Sequence, residues 1–174
     1  MFAVKYKGDF GFIKPWDAVR NDKIASQQFL TPSMVMGMEI MLFGEANGAI
    51  KRHRIKFDIL TPQQETVQGR GFFVKNKMNQ KETGIATRYT MLNPELSLLF
   101  ETKEEAEVAF NSHLFLARNE DIIFPIHIEE ITEEEFDLQY EGFELVKGDT
   151  IVVGYNRYTG DKMTGNLEYF ERTT

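Results

Sequence analysis

Apolar and polar residues alternate in three stretches of this chain and recur at helical spacing in two others, which predicts a mixed α+β protein. In the first stretch, residues 2–13, Phe2, Val4 and Tyr6 share one face and Phe10 and Phe12 keep the same parity. This predicts a half-buried strand kinked at Gly8 or Gly11. Lys14-Pro15-Trp16 ends it, and the polar residues 17–28 predict a loop. Thr31-Pro32-Ser33 then supplies a helix start, an N-cap hydroxyl followed by proline at the first helical position, and Gly44 closes the helix. The helix, residues 32–43, is apolar nearly all round and holds Met34, Met36, Met38 and Met41, so it is expected to lie against a sheet with little exposed surface. The methionines read as core, not as ligands. Gly37 within the helix costs about 1 kcal/mol relative to alanine, which points to a close backbone approach.

Residues 51–60 alternate again, with Ile55, Phe57 and Ile59 inward and Arg54, Lys56 and Asp58 outward, a strand with a basic outer face. The polar residues 61–87, with glycines at 69, 71 and 84 and one apolar cluster at Phe72-Phe73-Val74, predict a two-stranded excursion from the sheet. A third core strand is expected at residues 88–100. Thr102-Lys103-Glu104-Glu105 is a capping box that opens a second helix with apolar Ala106, Val108, Ala109 and Phe110. Leu114-Phe115-Leu116 and Ile122-Ile123-Phe124 flank a polar knot, Arg118-Asn119-Glu120-Asp121, and short strands separated by turns follow. The order strand, helix, strand, strand, helix, strand predicts an α+β fold. It is a ferredoxin-like, RRM-like core over residues 1–131, with a β-hairpin thumb at 61–87 and a small β-rich C-terminal extension at 132–174.

Composition changes this picture little. The 174 residues are 42% hydrophobic and 13% aromatic, enough for one cored domain or one domain with an appendage. The absence of cysteine excludes a disulfide scaffold, thiolate zinc sites, iron–sulfur clusters and a cysteine nucleophile, and fits a reducing cytoplasm. Residues 1–7 lack the apolar centre of a signal peptide, and the longest mostly apolar run, residues 34–43, falls short of the ~20 residues that cross a bilayer. A soluble cytoplasmic protein with no membrane partner is expected.

Charge changes it more. The net charge of −7 suggests no nucleic-acid partner, yet residues 1–100 carry a balance of +5 and residues 101–174 one of −12. Residues 51–90 alone carry nine basic side chains (Lys51, Arg52, Arg54, Lys56, Arg70, Lys75, Lys77, Lys81, Arg88) against three acidic ones. A local field of that sign attracts polyanions whatever the net charge; the alternative is a solvated hairpin with lysines guarding its edges. The acidic run Glu129-Glu130-Ile131-Thr132-Glu133-Glu134-Glu135 reads as a solvated helical turn or loop, either turned away from RNA or docking a basic partner.

Gly69-Arg70-Gly71-Phe72-Phe73-Val74 comes near the RRM signature, one residue short and outside a core strand; its phenylalanines either stack on bases or contact a neighbouring protein. His53, His113 and His127 lack metal-ligand spacing, and neither a metal nor another cofactor is expected. His53 among Lys51, Arg52 and Arg54 is expected to have a pKa lowered by like charge. No Ser/His/Asp order, phosphate-binding loop or HExxH is present, so catalytic signatures are missing; acid–base ribonuclease chemistry would fall to His53 or His113.

Lys5-Tyr6-Lys7-Gly8-Asp9-Phe10-Gly11-Phe12, the polar loop, and Thr31-Pro32-Ser33-Met34-Val35-Met36-Gly37 together resemble the opening of the fifth CRISPR-associated (Cas) subunit family of type I Cascade complexes. Leu116-Ala117-Arg118-Asn119-Glu120-Asp121-Ile122 is similar to that family's later LGR-x-ED segment, with Ala117 where glycine is usual. The resemblance implies a RAMP protein for antiviral defence that caps the 5′ handle of the CRISPR RNA (crRNA). It implies contacts with the backbone RAMP and the large subunit, leaves target DNA open as a further partner, and implies a thumb that kinks the RNA. One branch of the family also cleaves precursor RNA with a tyrosine just before the TPS segment and a Lys-His pair. Phe29 stands at the tyrosine position and no Lys-His dipeptide occurs, so a non-catalytic cap is expected. The RNA-binding residues expected on this basis are Trp16, Arg20, Lys51, Arg52, His53, Arg54, Lys56, Arg70, Phe72, Phe73, Lys75, Lys77, Arg88 and Arg118. Arg118 either reaches RNA or pairs with Glu120 or Asp121 to hold its turn. A metal-independent endoribonuclease and a protein-binding module without nucleic acid are the alternative functions.

Overall fold

The computed structural model describes residues 1–16, 23–75 and 78–173, with the backbone alone for residues 67–75 and 78–83. Within them the chain is a mixed α+β structure built on antiparallel sheets. The first alternating stretch forms β1 (Phe2–Lys7) and a two-residue β2 (Phe10–Gly11). They are separated at Gly8, whose N–H donates to the Pro94 carbonyl and where a Cβ would lie 2.7 Å from Ile123. The break resets the parity: Phe12 is buried, whereas Phe10, expected on the same face, is exposed. Part of the expected polar loop is a strand, β3 (Lys23–Ala25).

The first helix, α1, spans Pro32–Phe43 and ends at Gly44, whose left-handed backbone lets its N–H reach the Ile40 carbonyl. Two expectations for it are corrected. The Thr31 side chain makes no cap hydrogen bond, and Ile40 and Met41 are exposed, because α1 packs one side on the sheet and leaves the other open. Strand β4 (Ile50–Lys56) follows, then the long hairpin of β5 (Ile59–Lys75) and β6 (Met78–Leu92), paired from Ile59↔Leu92 to Lys75↔Met78. The third core strand is shorter than expected. Asn93, at φ 51, and Pro94 divide residues 88–100 into the end of β6 and β7 (Glu95–Phe100), because proline cannot continue a ladder and the turn redirects the chain. Ile59, expected inward, begins the hairpin and is exposed.

Helix α2 (Lys103–Phe110) carries the capping box, with Thr102 and Glu105 satisfying each other's backbone donors. Then come β8 (Leu114–Phe115), β9 (Ile122–Glu130), α3 (Glu133–Gln139), β10 (Gly142–Tyr155) and β11 (Lys162–Phe170). The main sheet has the order β11-β10-β4-β7-β1-β9-β8, so the C-terminal strands extend the core sheet through β10 on β4; the hairpin belongs to a second sheet, β2-β6-β3 with β5 on β6.

Because side chains alternate across a strand, the sheet has two different faces. Val4, Tyr6, Leu96, Leu98, Phe100 and Ile55 bury one of them under α1 and α2, where Phe43 meets Phe100 edge-on and the Tyr6 hydroxyl donates to the Ala109 carbonyl. Their neighbours Ala3 and Leu99 face the other way and pack with Ile131, Phe136 and Tyr140 beneath α3. Among the described residues no helix is long and apolar enough to cross a membrane.

Candidate nucleic-acid interface

At Arg54 the basic outer face expected of β4 is not open to solvent. Residues 52 and 54 point to the face that α3 covers, and Arg54 is 0% exposed. A buried guanidinium persists only if its donors are met. Arg54 donates from Nε to Glu144 at 3.3 Å and from Nη1 to the carbonyls of Phe136 (3.1 Å) and Tyr140 (2.6 Å), and it pairs with Asp137 through Nη2. The rings of Phe136 and Phe170 lie 4.9 and 3.7 Å from its central carbon. Arg52 forks onto Glu144 through two 2.8 Å hydrogen bonds and reaches Glu133 at 3.0 Å. Glu144 also accepts the His53 backbone N–H. Burial alone would raise the Glu144 pKa, but the hydrogen bonds and charge of Arg52, with that of His53, hold it below the usual carboxylate value.

The remaining described cations of residues 51–90 are also matched. Lys51 pairs with Glu101 at 3.2 Å, Lys56 with Glu141 at 3.0 Å, and Arg88 with Glu65. The acidic run 129–135 is in large part the solvated helical turn expected, with Glu130, Glu133, Glu134 and Glu135 exposed; only its Glu133 reaches β4, and the other carboxylates that do so follow it in the chain. Thr132 and Glu135 form a second capping box that starts α3, and Glu133, Asp137, Glu141 and Glu144 serve β4.

His53 sits on the α1 face of the sheet. Its pKa is lowered, chiefly by burial, with the Arg52 charge adding to it against Glu144 and a hydrogen bond to the Leu30 backbone. Like-charge repulsion, the expected cause, is secondary. Its Nε2 is buried without a hydrogen-bond partner.

Arg118 is committed to its own turn: two 2.7 Å hydrogen bonds to Asp121 and one of 2.8 Å to Glu65. Glu65 also holds Arg88, and both guanidiniums lie near the Phe12 ring, 5.1 Å from its centre for Arg88 and 5.3 Å for Arg118. This cluster ties the knot to the root of the hairpin. Trp16 is exposed and lies against Gly154, beside a cavity that it lines with Phe29 and Ile151. Arg70, Phe72, Phe73 and Lys75 are on β5, with Phe72 paired to Lys81 and Phe73 to Gln80 along the backbone; their side chains, with Arg20 and Lys77, lie outside the described residues.

A different basic surface emerges on the sheet face opposite α1 and α2, beyond the end of α3. Lys5, Lys7 and Lys56 come from three strands to Glu95, at 2.7, 3.5 and 3.6 Å. Burial would raise the Glu95 pKa; the hydrogen bond and charge of Lys5, with the charges of Lys56 and Lys7, lower it on balance. His127 stands opposite Lys5, and Phe124, 57% exposed, stands opposite Lys7. A cavity of about 200 Å³ joins Lys5, Lys56, His127 and Arg172 to the carboxylates Glu95, Glu129 and Glu141 and to Tyr140, whose hydroxyl donates to Glu129 at 2.6 Å. Ammonium groups beside an exposed ring on an open sheet face can hold phosphates and stack a base. The sequence signal was the parity of Lys5 and Lys7 against Val4 and Tyr6. Among the described residues no group of three or more His, Asp or Glu is placed to hold a metal ion. In comparison with known proteins, the chain matches no family model and no curated protein.

Proposed function

We propose that this chain is a non-catalytic RNA-binding subunit of a type I CRISPR effector complex, capping the 5′ handle of crRNA beside a backbone RAMP and a large subunit in the cytoplasm. The observation that carries the reading is topological. β1, α1, β4, β7, α2 and β9 follow one another with sheet order β4-β7-β1-β9 and both helices on one face, which we read as a ferredoxin-like core. The long hairpin β5–β6 leaves this core between its second and third strands, where the resemblance places the thumb. In this reading RNA is held by the hairpin, with Arg70, Phe72, Phe73, Lys75 and Lys77, and by the open face at Lys5, Lys7, His127 and Phe124. Arg52, Arg54 and Arg118 hold the fold instead, since each guanidinium is bound to two or more carboxylates, whereas Lys5 and Lys7 share the single carboxylate of Glu95. The non-catalytic assignment is supported by the ring of Phe29, which packs with Leu145, Val153 and Met163.

Coexpression with the neighbouring genes tests the reading. A complex carrying short RNAs with a single 5′ end is expected, and a complex with heterogeneous RNA or none overturns it. In the purified protein, Lys5→Glu with Lys7→Glu should weaken RNA binding and flatten its dependence on salt.

A further inference from the structure

A cavity of about 350 Å³ lies between α1 and the segment Phe115-Leu116-Ala117, and it shares no residue with the interface above. Its wall is one stripe of α1: Ser33 and Gly37 a turn apart, and Met34, Met38 and Met41 beside them. Three observations at its polar end point to an anion. First, α1 begins without a side-chain cap and without an acidic residue in its first turn, leaving the positive end of its dipole uncompensated. Second, Ser33 is 7% exposed and lines the cavity, and its hydroxyl makes no hydrogen bond among the described residues. Third, Lys14 and Arg157 line the same cavity and have no carboxylate partner among the described residues, whereas the arginines of β4 and the knot are all paired.

Arg157 is exposed and is hydrogen-bonded to its chain neighbour. Its Nη2 donates to the Tyr158 hydroxyl at 2.7 Å, and the Tyr158 N–H donates to Asn156, which is itself bonded to the Met36 sulfur. The guanidinium lies over Gly37, where a Cβ would be 3.1 Å from Nη2. The rest of the lining is mostly apolar, with Met41 42% exposed and Phe115 among it. Two cations and a helix N-terminus suit a dianion, and a lining of polarizable thioethers with an aromatic ring suits a flat heterocycle better than an alkyl chain. Its volume is at the small end of ligand sites, which run from about 300 to 1,000 Å³.

We propose that this groove binds one nucleotide, its phosphate on Lys14, Arg157 and Ser33 at the start of α1 and its base on Met38, Met41 and Phe115. The site takes a phosphorylated nucleoside whether free or at the end of a strand, and it does not depend on the RNA interface proposed above.

Calorimetric titration of the full chain with the four ribonucleoside 5′-monophosphates, the matching nucleosides and decanoate tests it. At least one monophosphate should bind one to one, its nucleoside at least tenfold more weakly. Lys14→Ala with Arg157→Ala should weaken the monophosphate at least tenfold with an unchanged melting temperature, and Met41→Glu should weaken it too. Displacement by a 5′-phosphorylated oligoribonucleotide identifies a strand end as the occupant, and failure to displace identifies a free nucleotide. Absence of binding by every monophosphate, equal affinity in the double variant, or binding of decanoate in place of nucleotides overturns the proposal. None of these results bears on whether the complex carries RNA, so the two readings fail separately.

Discussion

A guanidinium taken out of water loses several kcal/mol of hydration unless carboxylates and carbonyls replace it, and Arg54 finds those replacements only on segments some eighty residues away. Arg54→Ala leaves the Phe136 and Tyr140 carbonyls without their donor and Glu144 with Arg52 alone, and should cost about 3–5 kcal/mol in urea unfolding; a loss below 1 kcal/mol would show that water reaches the site. His53 poses the opposite problem, a ring whose charged form is disfavoured by burial. Its folded pKa lies below the unfolded value of about 6.5, so the unfolded chain takes up the proton more readily. That contribution is complete above about pH 6.5 and is lost as pH falls through the depressed folded value. Glu144, also depressed, contributes fully above about pH 4.3 and is lost on further acidification. Stability should therefore fall in two stages between pH 8 and 3, and His53→Gln should remove the upper stage alone. An unchanged profile in that variant would sink the assignment. The sequence identified His53 as a residue with a lowered pKa but named the wrong dominant cause, because burial is invisible in a run of basic neighbours.

Local signals at element ends were legible where the chemistry is local. The Thr102 capping box and the Gly44 stop are present as read, and the same pattern at Thr132-Glu135 starts α3. Thr31 failed as a hydroxyl cap although its helix begins where expected, since Pro32 alone suits the first position. Strand limits were less legible, as a single Asn93-Pro94 turn moved residues 88–92 into another sheet. Two glycines separate a packing constraint from a helix cost. At Gly142, with φ 142, a Cβ would lie 2.7 Å from the Ile55 carbonyl oxygen at the β10–β4 junction. Gly142→Ala should cost about 1–3 kcal/mol and loosen β10, seen as faster amide exchange in residues 143–146. At Gly37 the nearest atoms are the ends of the exposed Tyr158 and Arg157 side chains, at 3.0 and 3.1 Å, which can move. Gly37→Ala should instead stabilise α1 by up to about 1 kcal/mol; a loss of stability would mean those side chains are fixed.

At the scale of the molecule, the contrast between a +5 half and a −12 half is in part internal complementarity. The C-terminal segment brings Glu133, Asp137 and Glu144 to Arg52 and Arg54, and covers Ala3 and Leu99 with Phe136. A chain ending at residue 131 should consequently aggregate or remain unfolded, with two arginines and an apolar face uncovered. A monomeric 1–131 fragment with a cooperative melt would show the extension to be dispensable. By itself the sequence determined the α+β class, the positions of α1 and α2 and the basic alternation of β4, because propensity, capping and parity act over a few residues. The tertiary structure alone decided which charges remain available. Pairing across the sheet and burial beneath α3 join residues far apart in the chain, so they neutralised Arg52 and Arg54, gathered Lys5 and Lys7 about the one carboxylate of Glu95 on an open face, and left Lys14 and Arg157 beside an uncapped helix.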